Sequence, residues 1–428
     1  MIKSILNKLT KYKKEDSLVR DNFILFSANM ILNAIGFLYH FFMGRILGPS
    51  EYGVLGALMS LVYILIIPIN TIQTTVTKFV SNLKIKNEFG KIKFLLLDTI
   101  KKFSILGVII IFILLILSPF IASFLKISLK PLIIVDLIFI FSLLLPITRG
   151  TMQGLQSFKS LGINNIFEGA LKIIFGLSLV FLGLGVVGAI SGVLISYAGA
   201  FFLGIIPLRY LFKKNKETFS TKDMYKYSLP VLIGLLSLTA FYSIDILLVK
   251  HFFTDLEAGY YSAISLIGRT IFYATFSISL VMFPKVSELH TSNGDHKHLL
   301  KKSLLLVLLI GAPMVLFYFI FSSFIVNLFF GSEYLFIKPF IALFGLIMIF
   351  YSLTNTLTFY NLSINKRKFL FILIFFNVLQ ISLIYFFHNS IMQIIIIFLI
   401  LMISCFISLL GYTLIKNDKT INNNPSIQ

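Results

Sequence analysis

Twelve stretches of about 20 or more apolar residues, each closed off by polar residues or by Gly and Pro, run through this 428-residue chain. A helix of about 20 residues matches the hydrocarbon thickness of a bilayer. The stretches lie near 22–44, 52–78, 95–120, 131–153, 161–182, 186–209, 226–249, 257–283, 299–323, 337–362, 369–387 and 390–415. They are too long for barrel strands and show no apolar-polar alternation, so helices are the spanning structure left. Composition agrees: 58% of residues are hydrophobic, 13% are charged and the mean hydropathy is +0.96. A soluble fold could not hide that much apolar surface. The expectation is an all-α polytopic membrane protein of about 12 transmembrane helices.

Charge orients it. Of 37 lysines and arginines, 30 fall at even-numbered connections or at the termini. Five (Arg45, Lys126, Lys130, Lys250 and Lys338) fall on the opposite side, and Lys172 and Arg269 lie inside spans. By the positive-inside rule both termini face the cytoplasm, in a multi-pass protein of the cytoplasmic membrane. The formal charge of +20 is then a topology signal and a match to anionic membrane lipids, and no nucleic-acid partner is needed to explain it. The basic segment 1–21 leads into a run long enough to span, so it is not a cleaved signal. Its Ile2, Ile5, Leu6 and Leu9 suit either a surface amphipathic helix or a solvated tail. The single cysteine, Cys405, excludes an intramolecular disulfide.

The chain repeats itself. Glu51-Tyr52-Gly53 matches Glu257-Ala258-Gly259 at an offset of 206, and Gly154-Leu155 with Lys159 matches Asn361-Leu362 with Lys366 at 207. Two registers agreeing to one residue predict two six-helix lobes, 22–211 and 226–415, joined by a cytoplasmic linker 212–225 and followed by a polar tail 416–428. Six helices per lobe keep both lobes in one orientation, as a pseudo-two-fold axis along the membrane normal requires. Substrate is then expected near the midplane at the repeat interface.

Charges retained in lipid need a reason, since each costs roughly 2.5–3.5 kcal/mol to insert at the centre. Span 5 carries Glu168 and Lys172 one turn apart, spaced to pair, with Asn165 and Gly176 on the same face. Span 8 carries Arg269 near its centre, with Ser265 and Tyr273 a turn away on either side. Span 1 shows a polar stripe of Asn29, Asn33, Gly36 and His40. Lys172 and Arg269 predict a cationic, water-filled site suited to an anionic head group, Arg in particular to phosphate. Asp245, near the outer end of span 7, is either an ion-coupling acid or a helix-end residue paired with Lys250; Glu168 is the other ion-coupling candidate. Bland roles compete throughout: helix packing for Glu168–Lys172 and hydrogen-bond glue for the asparagines.

Other chemistry is missing from the sequence. His290 to His298 holds three histidines without helical ligand spacing, so no metal site is expected there. No phosphate-binding loop and no Ser-His-Asp or paired-carboxylate constellation marks an enzyme. No cofactor is expected, and a proton or sodium gradient is left as the energy source.

Four stretches carry a resemblance. Arg45-Ile-Leu-Gly-Pro-Ser-Glu-Tyr-Gly53 resembles the Leu-Gly-Pro-x-x-Tyr-Gly turn of polysaccharide and oligosaccharide-lipid flippases, in the multidrug/oligosaccharidyl-lipid/polysaccharide exporter (MOP) superfamily. RGTMQGLQSF (Arg149 to Phe158) resembles their Arg-Gly-x-x-Gln-Gly-x-x-x-Phe signature, and GLGVVGAISG and YSLPVLIG are similar too. The resemblance implies two six-helix lobes that alternate access and turn over a polyprenyl-linked oligosaccharide for cell-surface polysaccharide synthesis. It implies Arg149 as a contact for the pyrophosphate at the cytoplasmic mouth, and Arg45 is a candidate where the head group emerges. The protein would act as a monomer, beside polysaccharide assembly proteins. The superfamily's peptidoglycan-precursor flippases have fourteen helices, against twelve here. Its drug/cation antiporters have twelve but commonly place an acid in helix 1, where this chain has asparagines and a histidine. An ion-coupled drug antiporter and a non-transporting scaffold are the competing expectations.

Overall fold

The computed structural model describes residues 2–218, 222–292, 294–364 and 366–415, with the side chains of 2–27, 29, 66–70, 222–231, 284, 291 and 415 left outside the description. The side chains of Ile2, Ile5, Leu6, Leu9 and Asn29 and the tail 416–428 therefore lie outside the described residues. Among the described residues the chain is helical and contains no strand. Its α-helices are α1 (Ile2–Ile85), α2 (Phe89–Leu125), α3 (Leu129–Gly154), α4 (Phe158–Leu179), α5 (Gly185–Ile205), α6 (Arg209–Phe212), α7 (Lys222–Phe252), α8 (Asp255–Thr291), α9 (Lys297–Ile320), α10 (Ser322–Phe329), α11 (Lys338–Ser363), α12 (Phe369–Phe386) and α13 (Ile391–Ile415).

Ten helical runs among the described residues are long and apolar enough to cross a membrane. Two of them are double. Gly48 breaks α1 with φ 70° and ψ 174°, and Gly183, at φ 85°, breaks the run from α4 into α5. Left-handed backbone is cheap for glycine and costly for residues with a Cβ. Both breaks fall where the sequence ends an odd-numbered span, so the ten runs contain the twelve spans. The helices outrun the apolar stretches: α2 has 37 residues, about 55 Å at 1.5 Å per residue, so its ends project beyond the lipid core. Its outer face is a belt of exposed Ile105, Val108, Ile109, Phe112, Ile116 and Phe120, the surface a bilayer covers.

The chain packs into two compact units, Met1–Leu47 with Leu61–Leu229 and Gly48–Ser60 with Pro230–Gln428. In the first, α2 packs on α3, α3 on α5 and α4 on α5; in the second, α9 packs on α11, α11 on α13 and α12 on α13. The order of packing is that of a duplicated six-helix bundle. The first unit's core gathers Val76, Val80, Leu95, Leu145, Met152 and Phe201. The second joins α8 to α11 by a ladder of small polar groups. Thr275 Oγ1 donates to Ser352 Oγ at 3.0 Å, Ser279 and Thr356 share a hydrogen at 3.0 Å, and Asn355 Nδ2 donates to Ser279 Oγ at 3.1 Å. Where lipid offers no hydrophobic drive between helices, small residues and side-chain hydrogen bonds hold them together.

Residues 48–60 belong with the second unit for a local reason. Gly53 lies against the backbone of Asp255 and Gly259, and Gly259 lies against the carbonyl of Pro49. Tyr52 is buried with its ring edge-on to Phe330 at 5.6 Å and Tyr334 at 6.4 Å. The two glycines that match in the repeat are thus the two that touch.

Candidate functional site

In the first unit the polar residues form a buried relay across three helices. Arg149 on α3 holds Glu168 on α4 through Nη2 at 2.6 Å and Asn164 Oδ1 through Nε at 2.8 Å. Asn164 in turn donates to the carbonyl of Ala200 on α5 at 2.7 Å. Both charged side chains are about nine-tenths buried, 12% and 10% exposed. The expected pairing of Glu168 with Lys172 is therefore not made. A same-helix partner four residues on loses to Arg149, whose planar donor fork reaches Glu168 from the facing helix while a second nitrogen is fixed by Asn164. Lys172 is half-buried with its Nζ 5.0 Å from the centre of the Tyr39 ring. Tyr39 is fixed by donating to Ala189 O at 2.9 Å. A cation over a tyrosine face is stabilised by the ring's electron density.

The stripe on the first span divides. His40 is buried and its Nε2 shares a hydrogen bond with Tyr63 Oη at 3.0 Å, Asn33 is exposed, and a methyl group on Gly36 would meet open space. Arg45 is exposed with its guanidinium 4.9 Å from the Phe41 ring.

The RGTMQG stretch is in large part a packing device. Gly150 and Gly154 let α3 lie directly on Gln73, Val76, Thr77 and Val80 of α1. Gln153 accepts from Gln73 Nε2 at 2.9 Å, and Gln156 adopts the left-handed conformation (φ 60°) that turns the chain into α4. Lys84 Nζ then caps this turn, donating to Leu155 O at 2.8 Å and Gln156 Oε1 at 2.9 Å. Arg149 is the charged member of the stretch.

In the second unit Arg269 on α8 is buried against α7. Its Nη2 donates to Tyr242 O at 2.5 Å, and its guanidinium lies 4.6 Å from the Tyr242 ring centre. Tyr351 closes on Tyr242 edge-to-face at 5.7 Å. Ser265 is fully buried one turn before Arg269, whereas Tyr273, one turn after, is half exposed. Asp245 is fully buried, neither paired with Lys250 nor solvated. Its Oδ2 accepts from Tyr261 Oη at 2.9 Å and its Oδ1 from Ile246 N at 2.8 Å. Lys250 bonds Asp255 at 2.6 Å instead, because α7 ends at Phe252 and the chain turns straight into α8, bringing Asp255 back over it. The charged neighbour whose field reaches Asp245 is Arg269.

Besides Asn164 of the relay, three groups were not singled out in the sequence. Asn377 and Gln380 on α12 donate to Ser237 O at 3.1 Å and Phe241 O at 2.8 Å, docking α12 on α7. Their i, i+3 spacing in an otherwise apolar run was the available signal. Asp136 on α3 is the third, a buried acid bonded to Ser118 of α2. Among the described residues no group of three or more His, Cys, Asp or Glu is placed to hold a metal.

The fold is that of solved transporters. An inward-facing multidrug resistance MATE family transporter of the MOP superfamily matches with a TM-score of 0.73, at 14% identity over 91% of this chain and 97% of its own. The inward closed conformation of the lipid II flippase MurJ matches at 0.70 and 15% identity, over 91% of this chain and 87% of its own. In sequence, an uncharacterized membrane protein of Methanocaldococcus jannaschii is 25% identical over 298 residues, 64% of this chain and 68% of that protein. The two six-helix lobes expected from the repeat are the architecture of this fold. Residues 42–339, more than half of the chain, match the model of the polysaccharide biosynthesis protein family, Polysacc_synt_3, so this chain is a multi-pass membrane protein belonging to that family and carrying the fold of the MOP superfamily.

Proposed function

We propose that this transporter is a flippase for a polyprenyl-(pyro)phosphate-linked oligosaccharide, moved from the cytoplasmic to the outer face of the plasma membrane for cell-surface polysaccharide synthesis. The family match supports the substrate class. The observation that carries the reading is the pair of cations kept inside the spans. Lys172 rests on an aromatic face, and Arg269 is bonded to a backbone carbonyl beside another. A cation on an aromatic face is stabilised without being neutralised, and of the two a guanidinium is the better phosphate ligand. Arg149 is held by Glu168 and serves the head group when that pair opens. Arg45, exposed, meets the phosphate on the outer side. The lipid tail stays in the bilayer, membrane lipids and polysaccharide assembly proteins are the partners, and a monomer carries the cycle.

Both termini face the cytoplasm, on the strength of the lysine and arginine distribution. The chain performs no covalent chemistry, and a proton or sodium gradient or the membrane potential drives it. The test is head-group exposure of a labelled polyprenyl-pyrophosphate oligosaccharide in vesicles. Lys172→Ala and Arg269→Ala each remove most of the turnover; undiminished turnover in both contradicts the cationic mechanism.

A buried Asp245 within a MATE-like fold favours one second reading, an ion-coupled antiporter of small molecules. Under it Asp245→Asn abolishes transport while Lys172→Ala does not.

A further inference from the structure

Asp136 on α3 and Ser118 on α2 form a buried polar pair that shares no hydrogen bond with the Arg149 relay. Asp136 is 2% and Ser118 1% exposed. The hydroxyl oxygen of Ser118 lies 2.5 Å from Asp136 Oδ2 and 2.8 Å from the carbonyl oxygen of Leu114. A serine hydroxyl has one hydrogen to give. If Asp136 is a carboxylate, Ser118 faces two groups that can only accept, and one of the two contacts has no proton. If Asp136 is a carboxylic acid, its O–H donates to Ser118 Oγ, the Ser118 O–H donates to Leu114 O, and both contacts are satisfied. An ionised carboxylate in such a site also needs a cation, because burying a charge unpaired is prohibitive.

Among the described residues the surroundings supply none. On α3 itself Arg149 is committed to Glu168 and Lys130 is exposed near the N-terminus. On α2, Lys91 is paired with Glu88, Lys93 is bonded to Phe212 O and Lys214 O, Lys101 and Lys102 are exposed far along the helix, and Lys126 is exposed beyond its end. Helix α5 has no charged residue; on α4 Lys159 is exposed at the helix start, and Glu168 and Lys172 contact Arg149 and Tyr39. Among the described residues Ser118 is the polar group that acts on Asp136.

We infer that Asp136 is a proton-binding site, holding one proton as a neutral acid in this conformation and exchanging it with the outer face. Asp136 is seven residues after the start of α3 and Ser118 seven before the end of α2, so the pair lies only about 10 Å along the helices from the ends they share. Pro119, next to Ser118, lacks the N–H that would bond Leu115 O, which weakens α2 at this point and gives it a place to bend. That these ends are the outer ones rests on the proposed orientation.

The test is infrared spectroscopy of the full-length protein in proteoliposomes, which needs no substrate. Wild type at neutral pH shows a protonated-carboxyl band worth one group per molecule. Asp136→Asn lacks it, and the band shifts when D₂O replaces the outside water. Asn at 136 reproduces the neutral acid's donation to Ser118, so Asp136→Asn melts at the wild-type temperature while Asp136→Ala melts lower. Absence of the band in wild type overturns the assignment, and a band that does not shift in D₂O reduces Asp136 to structural glue. In the head-group assay Asp136→Asn removes the dependence of turnover on outer pH. A wild type that moves no polyprenyl substrate contradicts the flippase proposal and leaves the infrared result standing.

Discussion

Removing Glu168 alone is predicted to cost more than removing it together with its partner. Arg149 and Glu168 are 12% and 10% exposed and meet at 2.6 Å, so water screens little of the attraction. Glu168→Ala leaves a guanidinium in a dry helix interface with one remaining hydrogen bond, to Asn164 Oδ1. Breaking a buried pair from one side costs about 3–5 kcal/mol, whereas replacing both members by apolar side chains is near neutral or stabilising. The retained Asn164 bond places Glu168→Ala toward the lower end of that range. Arg149→Met/Glu168→Met is then more stable than Glu168→Ala by roughly 3 kcal/mol. The assay is a double-mutant cycle on unfolding free energies of the purified protein in mixed micelles. A double variant no more stable than Glu168→Ala refutes the reasoning, since it means that water solvates Arg149 once Glu168 is gone.

Three further outcomes follow from particular contacts. Gly53→Ala and Gly259→Ala each put a methyl group onto the opposing backbone and destabilise by about 1–3 kcal/mol, read in the same unfolding assay; Gly36→Ala, which meets open space, does not. Lys93 Nζ donates to Phe212 O at 2.7 Å and Lys214 O at 2.9 Å, so Lys93→Ala frees the segment after α6 and speeds trypsin cleavage after Lys213 and Lys214 several-fold. His296 shares a hydrogen bond through Nδ1 with Tyr360 Oη at 2.8 Å, and burial, with His290 beside it, holds its imidazole below the usual range. A depressed histidine is neutral in the folded chain while the unfolded chain binds the proton first. Its contribution is therefore whole above pH ~6.5 and lost as pH falls further. Proteolysis around 290–298 should rise from pH 7.5 to 5.5 in wild type and stay level in His296→Gln.

What was legible in the sequence is what depends on one segment at a time. Span length and charge asymmetry are properties of single runs, and the breaks at Gly48 and Gly183 come where glycine interrupts them. The repeat was legible because it is written twice, and its matched glycines proved to touch. Pairings across helices were not. Glu168 has Lys172 four residues away in sequence and Arg149 nineteen away, and the distant one wins because its helix lies alongside. Lys250 pairs forward with Asp255, across a turn, and leaves Asp245 to Tyr261. Asp136 went unmarked because nothing within its own helix reveals a serine on the neighbouring one. In the RGTMQG stretch the residue types were legible as a motif, but only the contact with α1 shows that its glycines serve packing, and only α4 shows where its arginine is held.

The proposed function stands on the substrate being a polyprenyl-linked oligosaccharide. Purified wild-type protein in vesicles, offered a labelled polyprenyl-pyrophosphate oligosaccharide on one face, tests it most directly. The head group is expected to reach the opposite face far faster than in protein-free vesicles, and a lipophilic drug cation offered the same way is not. Head-group exposure no faster than in protein-free vesicles, with uptake of the cation instead, would contradict it.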